Sequence, residues 1–290
     1  MEKPLVSVYI PTHKRPKLLK RAISSVVNQS YSNIEIIVSS DGECSDTKKV
    51  VDRFGAIHKN IRFISSKSNQ GACATRNSAI NVASGVYITG LDDDDYFSNT
   101  RIEEFINSLS ESRQILFSNY MVIDDYGVST TEFVEHVKID ELLKYNAIGN
   151  QIFCPTKYIR EAGGFDINLP AWQDYDLWIR LISIFGGATG INNNSYTTDK
   201  THPHERISTN RSSIESAYSI FQKKHRPYRS FYYQRWLALN YLKNINVKSN
   251  PLIWIKAAST MRVDLLIMLL MRRYSPKLRH TIRKFIISHH

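Results

Sequence analysis

The sequence predicts an α/β fold with a largely parallel sheet, followed by a helical and basic C-terminal region. Apolar, strand-like runs alternate with segments of helical periodicity through the first half of the 290 residues. That is the pattern of parallel strands joined by helices. The polar residues with chemical potential fall just after those strands, where open α/β sheets bind ligands. Near residue 210 the composition shifts, and the chain becomes helical, aromatic and basic.

Each element follows from its residues. Leu5-Val-Ser-Val-Tyr-Ile10 reads as a buried strand and Pro11-Thr-His-Lys-Arg-Pro16 as a loop. Leu18, Leu19, Ala22, Ile23, Val26 and Val27 recur at helical spacing over Lys17–Gln29. Ile34-Glu-Ile-Ile-Val38 is a second strand ending in the turn Ser39-Ser-Asp-Gly42. Asp46 is expected to cap a helix running through Phe54. Ile61 to Ser65 is a third strand, Gly71 opens a helix to about Ala83, and Val86 to Leu91 is a fourth strand. Ile102, Phe105, Ile106 and Leu109 mark a further helix. The second half is less regular. Ile115 to Ile123 reads as strand, Ile139 to Tyr145 as a short helix, and Gly163-Gly164-Phe165-Asp166 as a turn. Asp174 to Phe185 is a helix with Leu177, Trp178, Leu181, Ile182 and Phe185 on one face.

A chain of this length with 42% hydrophobic residues suits one large domain or two smaller ones. Cys44, Cys73 and Cys154 are widely spaced and odd in number, which fits reduced thiols rather than a disulfide framework or zinc site. A strand-like segment follows the first four residues directly, so no signal peptide is expected, and no apolar run approaches a bilayer span. The expected location is therefore cytoplasmic. Of the net charge of +11, residues 211–290 carry +14, from 16 Lys/Arg against Glu215 and Asp264, leaving −3 for the first 210. This divides the chain into a near-neutral body, 1–210, and a basic region, 211–290. Such a region suits an anionic partner, membrane lipid or nucleic acid.

Four consecutive aspartates, Asp92 to Asp95, follow the apolar run Gly85-Val-Tyr-Ile-Thr-Gly-Leu91. Four like charges repel, and a bound cation offsets that repulsion. Mg²⁺ and Mn²⁺ prefer oxygen ligands and commonly combine one or two carboxylates with substrate phosphates. An acidic turn capping the next helix is the plainer alternative. Pro11–Arg15, Asp41 and the aspartate run all fall at strand ends, so they are expected to converge, which favours a metal–phosphate site. Asp174 sits where a helix cap would sit, and Asp41 before Gly42 suits an ordinary turn. His13 and His202 taken alone read as incidental, Arg15 as a loop charge and Trp178 as core.

Five ordered segments resemble the family-2 glycosyltransferases of bacterial polysaccharide synthesis, which have the GT-A fold. They are Val6-Ser-Val-Tyr-Ile-Pro-Thr12, Ile36-Ile-Val-Ser-Ser-Asp-Gly42, Asn69-Gln-Gly-Ala-Cys-Ala-Thr-Arg-Asn77, Leu91-Asp-Asp-Asp-Asp95 and Gln173-Asp-Tyr-Asp-Leu-Trp178. The resemblance covers about the first 210 residues. It implies that Pro11, Thr12 and His13 line a nucleotide pocket and that Asp41 accepts from a uracil ring. Arg76 and Arg15 then approach the diphosphate, and Asp92 and Asp93 the ribose or donor sugar. Asp94 binds Mn²⁺ or Mg²⁺, and His204 reaches that metal or the diphosphate. Asp174 becomes the general base for an acceptor hydroxyl, and Trp172 a platform for the acceptor sugar. The sequence departs from the pattern at Gln173, where a Glu is usual, and at Ser40, where an Asp is usual.

The implied activity is inverting transfer of one sugar from a UDP-sugar, glucose before galactose, to an undecaprenyl-diphosphate-linked GalNAc or GlcNAc. The product is a β-linkage in O-antigen or capsule repeat units. Tyr233-Gln-Arg-Trp236 has the wrong spacing for the motif of processive synthases, so a single sugar per event is expected. Aromatic and aliphatic residues flanked by Lys/Arg beyond residue 228 fit contact with an anionic inner-leaflet surface. A sugar-nucleotide nucleotidyltransferase is the alternative enzyme, but the loop after the first strand lacks glycine. A basic nucleic-acid-binding protein is the non-enzymatic alternative. The near-neutral body and missing motifs argue against nucleic acid.

Overall fold

Seven consecutive buried residues form β1 (Val6–Thr12), the strand around which the molecule is built. A strand covered on both faces has no polar side to present, so it reads as an unbroken apolar run rather than an alternation. The computed structural model describes residues 3–203 and 211–225, together with Leu237, Ala238 and Tyr241. Flanking β1 in the sheet are β2 (Ile34–Ser40) and β4 (Tyr87–Gly90), both parallel to it, and β3 (Ile61–Ser65) extends the parallel set beyond β2. Helices α1 (Pro16–Val27), α2 (Ser45–Ile57) and α3 (Ala72–Val82) make the connections. The other half of the sheet contains β5 (Tyr96–Phe97), β6 (Leu116–Asp124), β7 (Gly127–Thr130), β8 (His136–Val137), β9 (Phe153–Pro155) and β10 (Ala188–Asp199). The strand order is β3-β2-β1-β4-β9-β6-β10-β5, with β7 pairing on β6 and β8 on β10. β6 and β10 run parallel, while β9 is antiparallel to both β4 and β6. The expected α/β fold with a largely parallel sheet is the one found.

The core lies where β1 and β2 meet α1. Val6, Val8, Ile10, Ile34, Ile36 and Val38 pack with Leu19, Ala22, Ile23 and Val26, all buried. Leu19, Ala22, Ile23 and Val26 share one face of α1 because 3.6-residue spacing returns them to the same side. The remaining helices are α4 (Arg101–Ser108), α5 (Ile139–Leu142), α6 (Thr156–Glu161), α7 (Gln173–Phe185) and α8 (Arg211–Lys224).

Two expectations about elements need correction. Asp46 does not cap α2: Cys44 holds that position, and Asp46 lies in the first turn, paired with Lys49. An acid there still favours the positive end of the helix dipole. The second correction is β10, a twelve-residue strand where no element was expected. Its register shifts between Ile191 and Tyr196, and Asn194 adopts a left-handed φ of 46°. Asn119 on β6 supports the irregularity, accepting from Asn193 N and donating to Asn194 Oδ1. Beyond the shift, Tyr196 OH and Asp199 N bond the carboxylate of Asp95, which follows β4.

The chain separates into two compact units. One contains the sheet and its helices up to Leu142, with Asn146–Asn168 and Gln173–Pro203. The other, within the described residues, is built from Leu143–Tyr145, Leu169–Trp172, α8, Leu237, Ala238 and Tyr241. Its interior is aromatic: Trp172 meets Phe221 edge-on at 5.5 Å between ring centroids, and Tyr218 lies 4.4 Å from Tyr241. Among the described residues, no helix is long and apolar enough to cross a membrane.

Candidate functional site

Because β2, β1 and β4 are neighbours in parallel, the residues that follow them emerge side by side. Asp41 N donates to Thr12 O at 2.9 Å, joining the ends of β1 and β2. Thr12 Oγ1 donates to Asp93 Oδ2 at 2.7 Å, joining β1 to the aspartate run after β4. Pro11 is buried in register with Ser39, and His13 Nδ1 lies 2.7 Å from Asp41 O. The carboxylate of Asp41 accepts from Gln70 N at 2.6 Å and Gly71 N at 3.1 Å. It therefore also fixes the loop that opens α3, where Gly71 takes a left-handed φ of 88°.

The repulsion within the aspartate run is met by cations of the chain itself. Arg15 Nη1 lies 3.3 Å from Asp93 Oδ1 and 3.4 Å from Asp94 Oδ2. Arg76 Nη2 pairs with Asp92 Oδ1 at 2.9 Å while its Nη1 donates to Gln173 Oε1 at 2.9 Å. Burial is the largest single influence on Arg76 and works against its charge, but the charges of Asp92 and Tyr9 and the bond to Asp92 together raise the guanidinium pKa. Arg21 pairs with Asp199 and donates to Asp94 O. Asp95 is almost fully buried and accepts from Tyr196 OH at 2.7 Å and Asp199 N at 3.1 Å. Burial pushes the carboxyl of Asp93 up to about 6, against the opposing bond from Thr12 and charge of Arg15. Burial also raises Asp199, but bonds from Thr201 and Arg21 outweigh it and hold the group at about 2.

β10 returns the chain to this cluster and sets His202 Nε2 2.9 Å from Asp94 Oδ2. His202, which read as incidental in the sequence, is thus the imidazole brought to Asp94, while His204 lies outside the described residues. Among the described residues, no group of three or more His, Cys, Asp or Glu is arranged to hold a metal ion. The pair that is present, a carboxylate and an imidazole, suits Mn²⁺ when diphosphate and water complete its shell.

Asp174 lies on a second side of the site, in the first turn of α7. It is half-buried, and its Oδ2 accepts from Asn146 Nδ2 at 3.1 Å. Desolvation raises its pKa, against opposing contributions from Tyr175 N–H and the charge of Arg76. Arg76 spans the two sides, bonding Asp92 on one and Gln173, next to Asp174, on the other. Asp176 is fully buried against Arg180 and Trp178 is fully buried in the core, both structural. Trp172 packs edge-on against Tyr218 and Phe221 in the other unit, with a left-handed φ of 59° that is costly for so bulky a side chain. Sequence reasoning missed Arg21, Asn146, Tyr196 and Asp199, and also Asn150, whose Nδ2 donates to Asp95 Oδ2 at 3.3 Å and to Asp92 Oδ2 at 3.4 Å. Asn146 and Asn150 lie outside regular elements and Tyr196 and Asp199 on the unexpected β10, so no periodicity announced them.

Known proteins resemble this chain in sequence and in fold. The family described as Glycosyl transferase family 2 matches residues 7–163. WcaA of Escherichia coli, named for colanic acid biosynthesis, is 32% identical over 235 residues, spanning 77% of this chain and 82% of its own. A second Escherichia coli relative, WfaP, is 33% identical over 187 residues, covering 62% of this chain and 70% of its own. Its name is UDP-Glc:alpha-D-GlcNAc-diphosphoundecaprenol beta-1,3-glucosyltransferase. Among solved structures, TarS of S. aureus in complex with UDP-GlcNAc aligns with a TM-score of 0.62 at 18% identity, over 94% of this chain and 73% of that one. A mannosyltransferase from Pyrobaculum calidifontis, with GDP-Man and Mn²⁺, aligns with a TM-score of 0.63 at 14% identity, over 99% and 86%. The structural likenesses establish the GT-A fold. With the family matched over more than half its length, the chain belongs to glycosyl transferase family 2 and is a glycosyltransferase.

Proposed function

We propose that this glycosyltransferase moves one sugar from a UDP-sugar, UDP-glucose first and UDP-galactose second, to a GalNAc or GlcNAc carried on undecaprenyl diphosphate. Transfer inverts the anomeric configuration, so an α-linked donor yields a β-linkage, in O-antigen or capsule repeat-unit synthesis. The observation that carries the reading is the separation of charge across the site. Asp92, Asp93 and Asp94 meet guanidinium groups, whereas Asp174 meets the neutral amide of Asn146. A carboxylate with no ion pair among the described residues, and raised by desolvation, keeps the basicity needed to accept a proton.

In this reading Asp174 takes the acceptor hydroxyl proton as that oxygen bonds to the anomeric carbon. The bond from that carbon to the diphosphate oxygen breaks, and its electron pair leaves with UDP. Pro11, Thr12, His13 and Asp41 line the nucleotide site. Asp92 and Asp93 approach the ribose and donor sugar, and Arg15 and Arg76 the diphosphate. Asp94 and His202 would hold Mn²⁺ or Mg²⁺, with His204 a further candidate. A bound divalent cation neutralises charge on the departing diphosphate. Trp172 is assigned to the acceptor side. Residues 1–210 form the catalytic portion, and the +14 charge of 211–290 supports association with the inner face of a bacterial inner membrane. The name of WfaP supports both the donor and the lipid-linked acceptor.

The test is a panel of UDP-sugars with Mn²⁺ and synthetic lipid-diphosphate GalNAc and GlcNAc acceptors, with product linkage read by NMR. A β-linked product from UDP-glucose is expected. An α-linked product would rule out inversion.

A further inference from the structure

Asn146 lies in the segment between α5 and β9, and its side-chain amide makes three hydrogen bonds. Its Oδ1 accepts from Gly149 N at 3.1 Å. Its Nδ2 donates to Gly149 O at 2.9 Å and to Asp174 Oδ2 at 3.1 Å. The orientation is not interchangeable, because Gly149 N–H needs an acceptor and only Oδ1 supplies one. Flipping the amide would set N–H against N–H and oxygen against both Gly149 O and the Asp174 carboxylate.

The loop that holds this amide is itself built into the fold. Gly149 has a φ of 89°, and a Cβ there would lie 2.7 Å from Tyr120 Cε1, so glycine is required on both counts. Trp178 Nε1 donates to Gly149 O at 2.9 Å. Trp178 follows Asp174 by four residues on α7, so the same loop grips that helix at the carboxylate and one turn later.

We propose that Asn146 is a positioning residue for Asp174, fixing Oδ2 so that Oδ1 is presented to the acceptor hydroxyl. This rests on the reading of Asp174 as base. A neutral donor does this work without the cost to basicity that an ion pair imposes. The amide also favours the ionised carboxylate against desolvation. The other groups acting on Asp174 are the backbone N–H of Tyr175 and its own backbone N–H on α7, Arg76 and Cys73 of α3, Asp92 after β4, Tyr9 of β1 and Tyr120 of β6.

Two variants of the full chain test this. Asn146→Ala removes the donor, and Asn146→Asp keeps the shape and the acceptor toward Gly149 N while replacing the donor with a charge. The titration of Asp174 is followed by carboxyl ¹³C NMR, with its signal assigned by its loss in Asp174→Asn. It should move up by about one pH unit in Asn146→Ala and further in Asn146→Asp. In the donor–acceptor pair that the panel finds active, kcat should fall between about ten- and a hundred-fold. The acidic limb of kcat/KM should follow the NMR shift, with the donor KM within about two-fold. An unmoved Asp174 titration in a folded Asn146→Ala protein overturns the positioning role, as does a kcat loss without a moved limb. Near-normal turnover in Asp174→Asn overturns the base assignment instead, and with it the premise.

Discussion

The aspartate run and Asp174 are both carboxylate sites, yet the chain holds them by opposite means. Around the run, Arg15, Arg21 and Arg76 bring three guanidinium groups to Asp93 and Asp94, to the Asp94 carbonyl and Asp199, and to Asp92. At Asp174, among the described residues, no salt bridge is formed, and the bonding partners are neutral N–H groups, the Asn146 amide and the backbone of Tyr175. The difference follows from what each site must do. A region that receives a diphosphate gains from positive charge already in place. A base loses strength with every cation bonded to it.

The sharpest way to break this comparison is to neutralise the base. Asp174→Asn should lower kcat by a factor on the order of 10³, within the range for general-base catalysis, while UDP binding measured by calorimetry stays near normal. Retained turnover would mean that the two carboxylate sites do not divide the chemistry as proposed. On the other side, Asp94→Ala should weaken Mn²⁺-dependent UDP binding by roughly 10- to 100-fold. UDP affinity that is unchanged with Mn²⁺ present would remove Asp94 from the metal site.

Arg76 belongs to both sides, so its removal tests their connection. Arg76→Met abolishes the bonds to Asp92 and Gln173 and withdraws a charge that lowers the pKa of Asp174. The acidic limb of kcat/KM should therefore move to higher pH. Leaving Asp92 without its guanidinium, with only the Asn150 amide still on Oδ2, should cost about 2 kcal/mol in denaturant unfolding, below the range for a fully buried pair. A limb that does not move would mean that Arg76 senses only the aspartate run.

The sequence made some of this legible. β1 to β4 could be read because their apolar runs are continuous, and placing Asp41 and the aspartate run at strand ends predicted their convergence. What could not be read was the source of the compensating charge. Like charges in sequence call for a cation, and a metal was the cation expected. Arg21 lies on α1 beside the apolar positions that marked the helix, and nothing local connects it to Asp94 or Asp199. β10 was hidden by its own composition. Asn193, Asn194 and Ser195 interrupt any alternation, and the bulge they form is what carries Tyr196 and Asp199 to Asp95 and His202 to Asp94. Asn146 had no signal at all, since its role depends on a loop closed by Gly149 against Tyr120.

Asp199 and Asp174 should also differ in how pH acts through them on stability. The pKa of Asp199 is lowered to about 2, below the ordinary value near 3.9. Its contribution is present above the unfolded value and is lost as pH falls toward the folded one. Asp199→Asn should thus cost up to roughly 2 kcal/mol at pH 7 and progressively less toward pH 2.

For Asp174 the sign reverses. Its folded pKa lies above the unfolded one, so the folded chain binds the proton more tightly. The stability that this confers is fully present below the unfolded pKa and is lost as pH rises through the folded pKa. At neutral pH the ionised carboxylate therefore detracts from stability, and Asp174→Asn, a neutral isostere, should raise Tm slightly. The gain should shrink toward pH 3, where the wild-type group is itself protonated. Asn146 does limit the gain: its Nδ2 faces whichever atom replaces Oδ2, and the substituted amide must present its oxygen there to keep the bond. A variant that is inactive but no less stable than wild type at pH 7 is what a base held under desolvation predicts. A lower Tm at pH 7 would mean that Asp174 is held chiefly for the fold, as an acid in the first turn of α7.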